Sequence, residues 1–310
     1  MNNWPDLPLA AWRDTRDTLH LWTQIVGKIR LAQTPWLNHG WHVALYVTTK
    51  GLRTSSIPHG ERSFEIEFDF IQHRLEIRTD DGALERIDLK PRSVAEFYGA
   101  VMEVLLELKL PVTITERPSE IPDAIPFSQD RTHASYDPEY ANRFWRVLAQ
   151  VDRVFKHFRT GFLGKTSPVH FFWGSFDLAV TRFSGRKAPR FPGRAPGLAA
   201  EVMQEAYSHE VSSAGFWPGG GGVDYAAFYS YAYPAPAAYS EFVVRPPEAS
   251  FNKELGEFLL PYDVVRTSKD PDATLLAFLE STYDAAAVSG AWDRDSLECS
   301  RGEPGVARKA

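Results

Sequence analysis

Residues 64–70 read FEIEFDF, and the alternation in this segment decides the class of fold. Its four apolar residues fall on one face of an extended chain, and its three acidic residues fall on the other, which is typical of a half-buried antiparallel strand. We expect the acidic side chains to be solvated. A turn with the sequence TDDG at 79–82 separates LEIR at 75–78 from ALERIDL at 83–89, which predicts that the strands continue as a meander.

Amphipathic helices are predicted on both sides of these strands. Apolar residues recur at helical spacing in four segments, and three of the four begin with residues that favour a helix N-terminus. Ser93 and Glu96 form a capping-box pair, whereas 137–138 and 270–271 are both Asp-Pro. The four helices are expected at roughly 10–32, from Ser93 onward, 139–158 and 272–288. The sequence therefore predicts an α+β protein with a largely antiparallel sheet flanked by amphipathic helices.

The order helix, strands, helix occurs twice along the chain. It divides the sequence into an N-terminal half at 1–135, a C-terminal half at 136–292 and a polar, flexible tail at 293–310. One interpretation is an internal duplication with a pseudo-two-fold arrangement, in which the halves share one extended sheet and a ligand lies between them. The alternative is that the similarity of the halves is a coincidence of aromatic-rich junctions.

Composition excludes several classes of protein. The 310 residues carry a net charge of −6, which gives no bulk attraction to nucleic acid or to anionic membranes. The single cysteine, Cys299, excludes an internal disulfide framework and favours a reducing compartment. No stretch approaches the roughly 20 apolar residues of a membrane span. We therefore expect a soluble cytoplasmic protein that binds neither nucleic acid nor membranes.

Two segments mix residue types that core packing alone does not demand. They are SPVHFFWGSFDLAVTRFSGR at 167–186 and EAYSHEVSSAGFWPGGGG at 205–222. Imidazoles act as general bases or metal ligands, and carboxylates orient them or bind the metal. The candidate catalytic residues are His170, Asp177, His209 and Glu210. Three of these residues, His170, His209 and Glu210, could instead be the ligands of a divalent transition metal such as zinc, iron, manganese or nickel.

The local geometry of the first pair is open from sequence. On one strand over 169–180, His170 and Asp177 point to opposite faces. A bulge at Gly174, or a helix that begins at Ser167, would bring them to the same side. The alternative to a functional role is that His170 is a histidine of the core, with its hydrogen bonds satisfied on a buried strand.

The second pair has two alternatives as well. His209 and Glu210 are adjacent, so they diverge on a regular strand. In a loop, both could reach one centre, and the glycine run at 219–222 supplies conformational freedom. The pair could also be exposed and without function.

Candidate substrate-binding residues surround this cluster. Arg182 and Arg186 belong to a basic segment whose guanidinium groups could bind a carboxylate or a phosphate, so we expect an anionic substrate. A solvated basic loop is the alternative. Trp173 and Trp217 would form walls of the pocket and exclude water.

A row of phenols extends the predicted site. FYSYAYPAP at 228–236 places Tyr229, Tyr231 and Tyr233 on one face of a strand. Of these, Tyr229 and Tyr231 are predicted to stack against a ligand and to donate hydrogen bonds to it. The row could equally be the packed face of a sheet beneath a helix.

Four strings of the sequence resemble an uncharacterised bacterial family that is described only as a domain of unknown function. They are SPVHFFWGSFDLAVTRFSGR, EAYSHEVSSAGFWPG, FYSYAYPAP and EFLLPYDVVR, the last at 257–266. The resemblance covers nearly the whole chain. It implies no activity, so it assigns no catalytic residue.

Three functions fit these observations. The first is a cytoplasmic enzyme that acts on a small anionic molecule through its histidine and carboxylate cluster, by metal binding or acid–base catalysis. The second is a non-catalytic protein that binds a small molecule in an aromatic pocket. The third is an interaction protein with an exposed aromatic surface. The enzyme requires that His170, His209 and Glu210 converge.

Overall fold

The computed structural model describes residues 4–308, and within them the chain forms seven α-helices and twelve strands. The helices are α1 Leu9–Gln33, α2 Val94–Glu107, α3 Pro138–Arg159, α4 Ala200–Ala206, α5 Tyr262–Thr267, α6 Pro271–Ser289 and α7 Arg294–Leu297. The strands are β1 Tyr46–Val47, β2 Gly51–Arg53, β3 Ile57–His59, β4 Arg62–Asp69, β5 Arg74–Thr79, β6 Leu84–Asp88, β7 His170–Phe172, β8 Asp177–Lys187, β9 His209–Trp217, β10 Ala227–Tyr233, β11 Ser250–Asn252 and β12 Glu257–Pro261.

The strands form two six-stranded sheets, one from each half of the sequence. The N-terminal sheet has the order β1-β2-β4-β5-β6, with β3 paired to β4, and the C-terminal sheet has the order β11-β12-β10-β9-β8-β7. Every ladder is antiparallel. The α+β class with antiparallel sheets and flanking helices is confirmed.

The two sheets do not merge into the single extended sheet that a duplication suggested. Leu45 and Phe171 exchange two backbone hydrogen bonds, of 2.8 and 2.7 Å, between the sheets. This isolated bridge does not extend into a ladder between β1 and β7. The duplication itself, and the domain boundaries at 135 and 292, stay predictions; residues 1–3 and 309–310 of the first and last predicted segments lie outside the described residues.

Side-chain caps mark the start of three of the four predicted helices. The Ser93 hydroxyl accepts a hydrogen bond from the Glu96 amide, and the Glu96 carboxylate accepts one from the Ser93 amide at 2.8 Å. Asp137 and Asp270 cap α3 and α6, each followed by a proline at the first helical position. The predicted capping box and both Asp-Pro starts are confirmed.

The N-terminal sheet packs its apolar face against α1 and α2. Trp22 of α1 stacks on Phe97 of α2 with ring centroids 4.4 Å apart, and Phe97 also stacks on Phe68 of β4. Both sheets and the helices α1, α2, α3 and α6 contribute to one hydrophobic core.

The sequence alone suggested that the acidic side chains of β4 are solvated, but part of this face is buried. Asp69 is buried, and so is Glu76, the β5 residue opposite Glu67. The Lys50 Nζ atom lies 2.7 Å from Glu76, 3.2 Å from Glu67 and 3.5 Å from Asp69. The lysine neutralises carboxylates that the sheet partly withdraws from water.

Different elements pack against the two faces of the C-terminal sheet. α3 and α6 pack against one face, whereas α1, α4 and two irregular segments lie over the other and leave a cavity. The start of the predicted tail forms α7, and the Leu163 amide donates a hydrogen bond to the Leu297 carbonyl at 2.7 Å. Within residues 4–308, none of the helices combines the length and the apolar character that a membrane crossing requires.

Candidate functional site

The cavity over the C-terminal sheet has a volume of about 1010 Å³. The sheet forms its floor, and its walls come from α1, α4 and the segments 36–43 and 118–125. Trp36, which is 52% exposed, lies on its lining, so the cavity opens to solvent on that side. This is the size and shape of a small-molecule site.

Strand register decides which side chains reach the cavity. Thr181 of β8, Ser213 of β9 and Tyr231 of β10 lie opposite one another in one row across the sheet. Ala179, Gly215 and Tyr229 form the next row. Residues two apart on a strand share a face, so both rows face the same cavity, and all of their members except Gly215 line it.

Gly215 makes room for a hydrogen bond between two side chains of the site. A Cβ atom at this position would overlap the ring of Tyr229, which lies across the glycine. From there the Tyr229 hydroxyl donates a hydrogen bond to Asp177, and the Ser175 hydroxyl donates one to the other oxygen of the same carboxylate. Burial raises the pKa of the Asp177 carboxyl despite both donors.

A hairpin at 173–176 places His170 and Asp177, and this corrects the continuous strand over 169–180. The Phe176 amide donates to the Phe172 carbonyl at 2.8 Å, and Phe176 adopts a left-handed φ of 61°. His170 then pairs with Ala179 and Phe172 with Asp177, so His170 and Asp177 share one face of the sheet. Neither a bulge at Gly174 nor a helix from Ser167 is needed to bring them there.

His170 shares that face but is sealed by aromatic rings. Its ring lies 4.4 Å from Phe172 and 6.2 Å from Trp41 between centroids, and the residue is fully buried. Neither ring nitrogen has a hydrogen-bond partner. Burial, together with the charges of Arg159 and Arg30, lowers the pKa of His170 to about 3. A catalytic role for His170 stays a prediction that its surroundings do not favour.

Two carboxylic acids that the sequence did not single out face the same cavity as Asp177. They are Glu120, from the segment 118–125, and Glu257, at the start of β12. Burial raises the pKa of each to about 7, and the nearby Asp177 carboxylate adds to both shifts. The site thus contains two acids that are about half ionised at neutral pH.

α1 holds Glu120 in place through its neighbour in the chain. The Gln24 side chain accepts a hydrogen bond from the Ser119 amide at 2.7 Å and donates one to the Ser119 carbonyl at 2.9 Å. The Lys28 ammonium donates to the Ser119 hydroxyl at 3.0 Å. The Glu120 carboxyl packs so closely over Gly174 that a Cβ atom there would overlap it.

Two residues of the tyrosine row, Tyr229 and Tyr231, line the cavity, whereas the Tyr233 hydroxyl donates a hydrogen bond of 2.9 Å to the Pro189 carbonyl. Tyr229, Tyr231 and Tyr233 alternate with buried residues on β10, and the rings of Tyr229 and Tyr231 stack with centroids 6.1 Å apart. Tyr231 shares a hydrogen bond of 2.9 Å with Tyr207, which precedes β9. Burial raises the pKa of Tyr207 to about 12, so this phenol stays protonated near neutral pH. Tyr229 and Tyr231 therefore form part of the floor of the cavity.

The predicted metal ligands do not come together. His209 and Glu210 both lie on β9, so their side chains take opposite faces of the sheet. Glu210 accepts hydrogen bonds from Ser184 and from Arg186, both at 2.8 Å, on the side away from the cavity. Across residues 4–308, no three histidine, cysteine, aspartate or glutamate side chains are arranged to hold a metal ion. The expected convergence of His170, His209 and Glu210 is corrected: the sheet separates Glu210 from the histidines.

The predicted anion-binding arginines also lie on the far face. Arg182 is buried against the rings of Phe158, Phe162 and Tyr283, and it donates a hydrogen bond of 2.6 Å to the Phe158 carbonyl. Arg186 pairs with Glu210 and donates to carbonyls at the end of α6. The Arg182 guanidinium is thus engaged in packing and the Arg186 guanidinium in an ion pair and hydrogen bonds, and neither is directed at the cavity.

The predicted tryptophan walls do line the cavity. Trp217 ends β9, and Trp173 lies in the 173–176 hairpin. The Trp173 indole donates to the Val43 carbonyl at 2.9 Å and packs on α1, where a side chain at Gly27 would overlap it. His209 instead lies beside His39, with ring centroids 6.2 Å apart.

The sequence from residue 4 to residue 299 matches the model of a family of unknown function, DUF5996. The chain belongs to this family. The resemblance to an uncharacterised family is thereby confirmed, and the DUF5996 match spans both sheets and every wall of the cavity. No curated protein and no solved structure matches the chain.

Two of the cavity residues that the sequence analysis did not single out belong to the four sequence segments that resemble the family. Tyr207 belongs to EAYSHEVSSAGFWPG, and Glu257 is the first residue of EFLLPYDVVR. Glu120 belongs to none of the four strings, and no local pattern distinguishes it from an exposed loop acid. Contacts between distant segments bring it to the cavity, among them those of Gln24 and Lys28 with Ser119.

Proposed function

We propose that this DUF5996 protein binds a small organic molecule in the cavity over its C-terminal sheet. The observation that carries the proposal is the pair Asp177 and Tyr229, a buried carboxylate and a partly buried phenol on the floor of a cavity of about 1010 Å³. Buried polar groups fix the orientation of a ligand, and the surrounding aromatic rings bury its apolar surface. The pair is the polar anchor of the site.

The sequence-based choice of an anionic ligand is not part of this proposal. Arg182 and Arg186 were its basis, and both are engaged on the opposite face of the sheet. A metal held by His170, His209 and Glu210 is left out for the same reason. A cytoplasmic location, without nucleic-acid binding, remains the proposal that the net charge of −6 and the single cysteine support.

Acid–base catalysis is a second candidate function, favoured by one observation. Glu120 and Glu257 each have a pKa of about 7, so one can accept a proton while the other donates one near neutral pH. Both side chains line the cavity that would hold the substrate. Turnover of a bound ligand would distinguish an enzyme from a binding protein.

A fragment screen by ligand-observed NMR tests the binding proposal. The screen uses wild-type protein, Asp177→Asn, Tyr229→Phe and the control Glu210→Gln, which alters a carboxylate on the opposite face of the same sheet. We expect fragments with an aromatic ring to bind the wild type and Glu210→Gln alike, and to bind the two anchor variants more weakly. Fragments that bind all four proteins equally would overturn the assignment of the anchor.

A further inference from the structure

We propose that the cavity selects an organic cation, an aromatic or aliphatic amine carried as its ammonium form. The inference rests on the proposed function and names the charge of its ligand. It is carried by three carboxyl groups, Asp177, Glu120 and Glu257, that face one aromatic-lined space without a basic partner.

The charges around the cavity are strongly unequal. Its acidic lining residues are Asp17, Glu120, Asp123, Asp130, Asp177 and Glu257. Arg16 is the one lysine or arginine on the lining within the described residues, and its guanidinium pairs with Asp17 at 3.0 Å. A ligand that enters the cavity therefore meets an excess of negative charge.

The lining histidines add little positive charge. They are His20, His39, His42 and His133. Burial lowers the pKa of His20 to about 4, and it lowers the pKa of both His39 and His42. His133 pairs with the buried Asp130 at 2.7 Å. Lys165 donates a hydrogen bond of 2.6 Å to His39 and is engaged there.

Hydrogen-bond donors already present do not neutralise the three carboxyls. Asp177 receives two neutral hydroxyl donors, from Ser175 and Tyr229, and neither brings a positive charge. Neutral donors satisfy lone pairs but leave the repulsion between neighbouring carboxylates. An ammonium group would supply both donors and charge at one position.

The aromatic walls fit the same ligand. Trp173, Trp217, Tyr229 and Tyr231 line the cavity together with the acids. The faces of indole and phenol rings attract cations, and the effect grows when water is excluded. Carboxylates combined with aromatic faces form the usual environment of a bound ammonium group, whereas a carboxylate or phosphate ligand would be repelled.

Titration calorimetry with three indole compounds tests the proposal on the full chain. Tryptamine carries a positive charge, tryptophol is neutral and indole-3-propionate is negative, while the ring is the same. We expect tryptamine to bind at least about ten-fold more tightly than tryptophol, and indole-3-propionate to bind most weakly. Tryptophol or indole-3-propionate binding as tightly as tryptamine overturns the cation preference and leaves the proposed binding function standing. No binding of any of the three overturns both.

Charge-neutral variants locate the effect. Glu120→Gln and Glu257→Gln are expected to reduce the ratio of tryptamine to tryptophol affinity several-fold while tryptophol affinity stays constant. Glu210→Gln is the control, because its carboxylate pairs with Arg186 on the other face. If the ratio of tryptamine to tryptophol affinity fell equally in Glu210→Gln, the effect would come from the overall charge of the protein, and the assignment of the cation site to Glu120 and Glu257 would be overturned. Circular dichroism of each variant confirms that it is folded.

Discussion

The Tyr229 hydroxyl donates a hydrogen bond to the Asp177 carboxylate across a glycine, Gly215, that leaves the space for it. The two residues are 52 positions apart in the sequence and lie on strands that are not neighbours, β8 and β10. β9 lies between these strands and contributes only a glycine at the crossing point. The site therefore depends on a three-strand register rather than on a local motif.

A double-mutant cycle measures this contact. Tyr229→Phe removes the hydroxyl donor and is expected to lower the free energy of unfolding by about 1–2 kcal/mol, because a buried carboxylate loses a partner. Asp177→Ala removes the acceptor, so Tyr229→Phe should be nearly neutral in that background if the two residues act as a pair. Urea denaturation of the four proteins checks this; additive losses would contradict the pairing.

Gly215→Ala tests the space that the tyrosine occupies. The added methyl group overlaps the Tyr229 ring, so we expect a loss of about 1–3 kcal/mol in unfolding free energy and weaker fragment binding. Gly99→Ala is the matched control, because Gly99 is an exposed position of α2 with open space around it. There the change should stabilise the helix by about 0.5–1 kcal/mol. Equal effects at both glycines would refute the steric explanation.

Stability should depend on pH through Glu120 and Glu257. Their pKa values, about 7 in the folded protein against an ordinary value of 4.5, mean that the folded state holds protons more tightly than the unfolded state. The unfolding free energy therefore falls as the pH rises from about 4.5 to about 7. Glu120→Gln should raise it at about pH 8 by about 1–3 kcal/mol and flatten that dependence. Thermal denaturation across this pH range measures the change, and an unaltered profile would contradict it.

Arg182→Met separates packing from ligand binding. The guanidinium stacks on three rings away from the cavity, and its loss removes a hydrogen bond to the Phe158 carbonyl. We expect the unfolding free energy to fall by about 1–3 kcal/mol. Ligand affinity, measured by calorimetry, should stay within about two-fold of wild type. A large loss of affinity in a folded variant would restore the sequence-based role of Arg182 as a ligand-binding residue.

His170→Phe tests whether the buried imidazole has only a structural role. The folded pKa of about 3 lies below the ordinary value of 6.5, so the unfolded state binds the proton first and stability falls as the pH drops below about 6.5. The phenylalanine variant should lose about 2 kcal/mol less than wild type between about pH 7.5 and about pH 5. Unfolding by urea at the two pH values gives this difference. If the phenylalanine variant lost as much unfolding free energy as wild type between these pH values, the pKa of His170 would not be lowered in the folded protein.

The helices and strands could be predicted from the sequence to a greater extent than the arrangement of the site. Ser93 with Glu96, and the two Asp-Pro pairs, satisfy free amides within their own first helical turn, so their caps follow from adjacent residues. The hairpin at 173–176 depends on a left-handed Phe176, a conformation that phenylalanine rarely adopts. No sequence rule predicts it, and it decides the face that Asp177 takes.

Adjacent residues were enough to predict the four long helices, the alternating strands and the shared face of the tyrosines, because helical spacing, caps and two-residue periodicity are local properties. The tertiary structure decided which polar residues share a cavity. It placed Glu120 there through the contact between Gln24 and Ser119, and it removed Glu210 and Arg182 to the opposite face of the sheet. These outcomes follow from strand register and from contacts between distant segments, which are set when the whole chain packs.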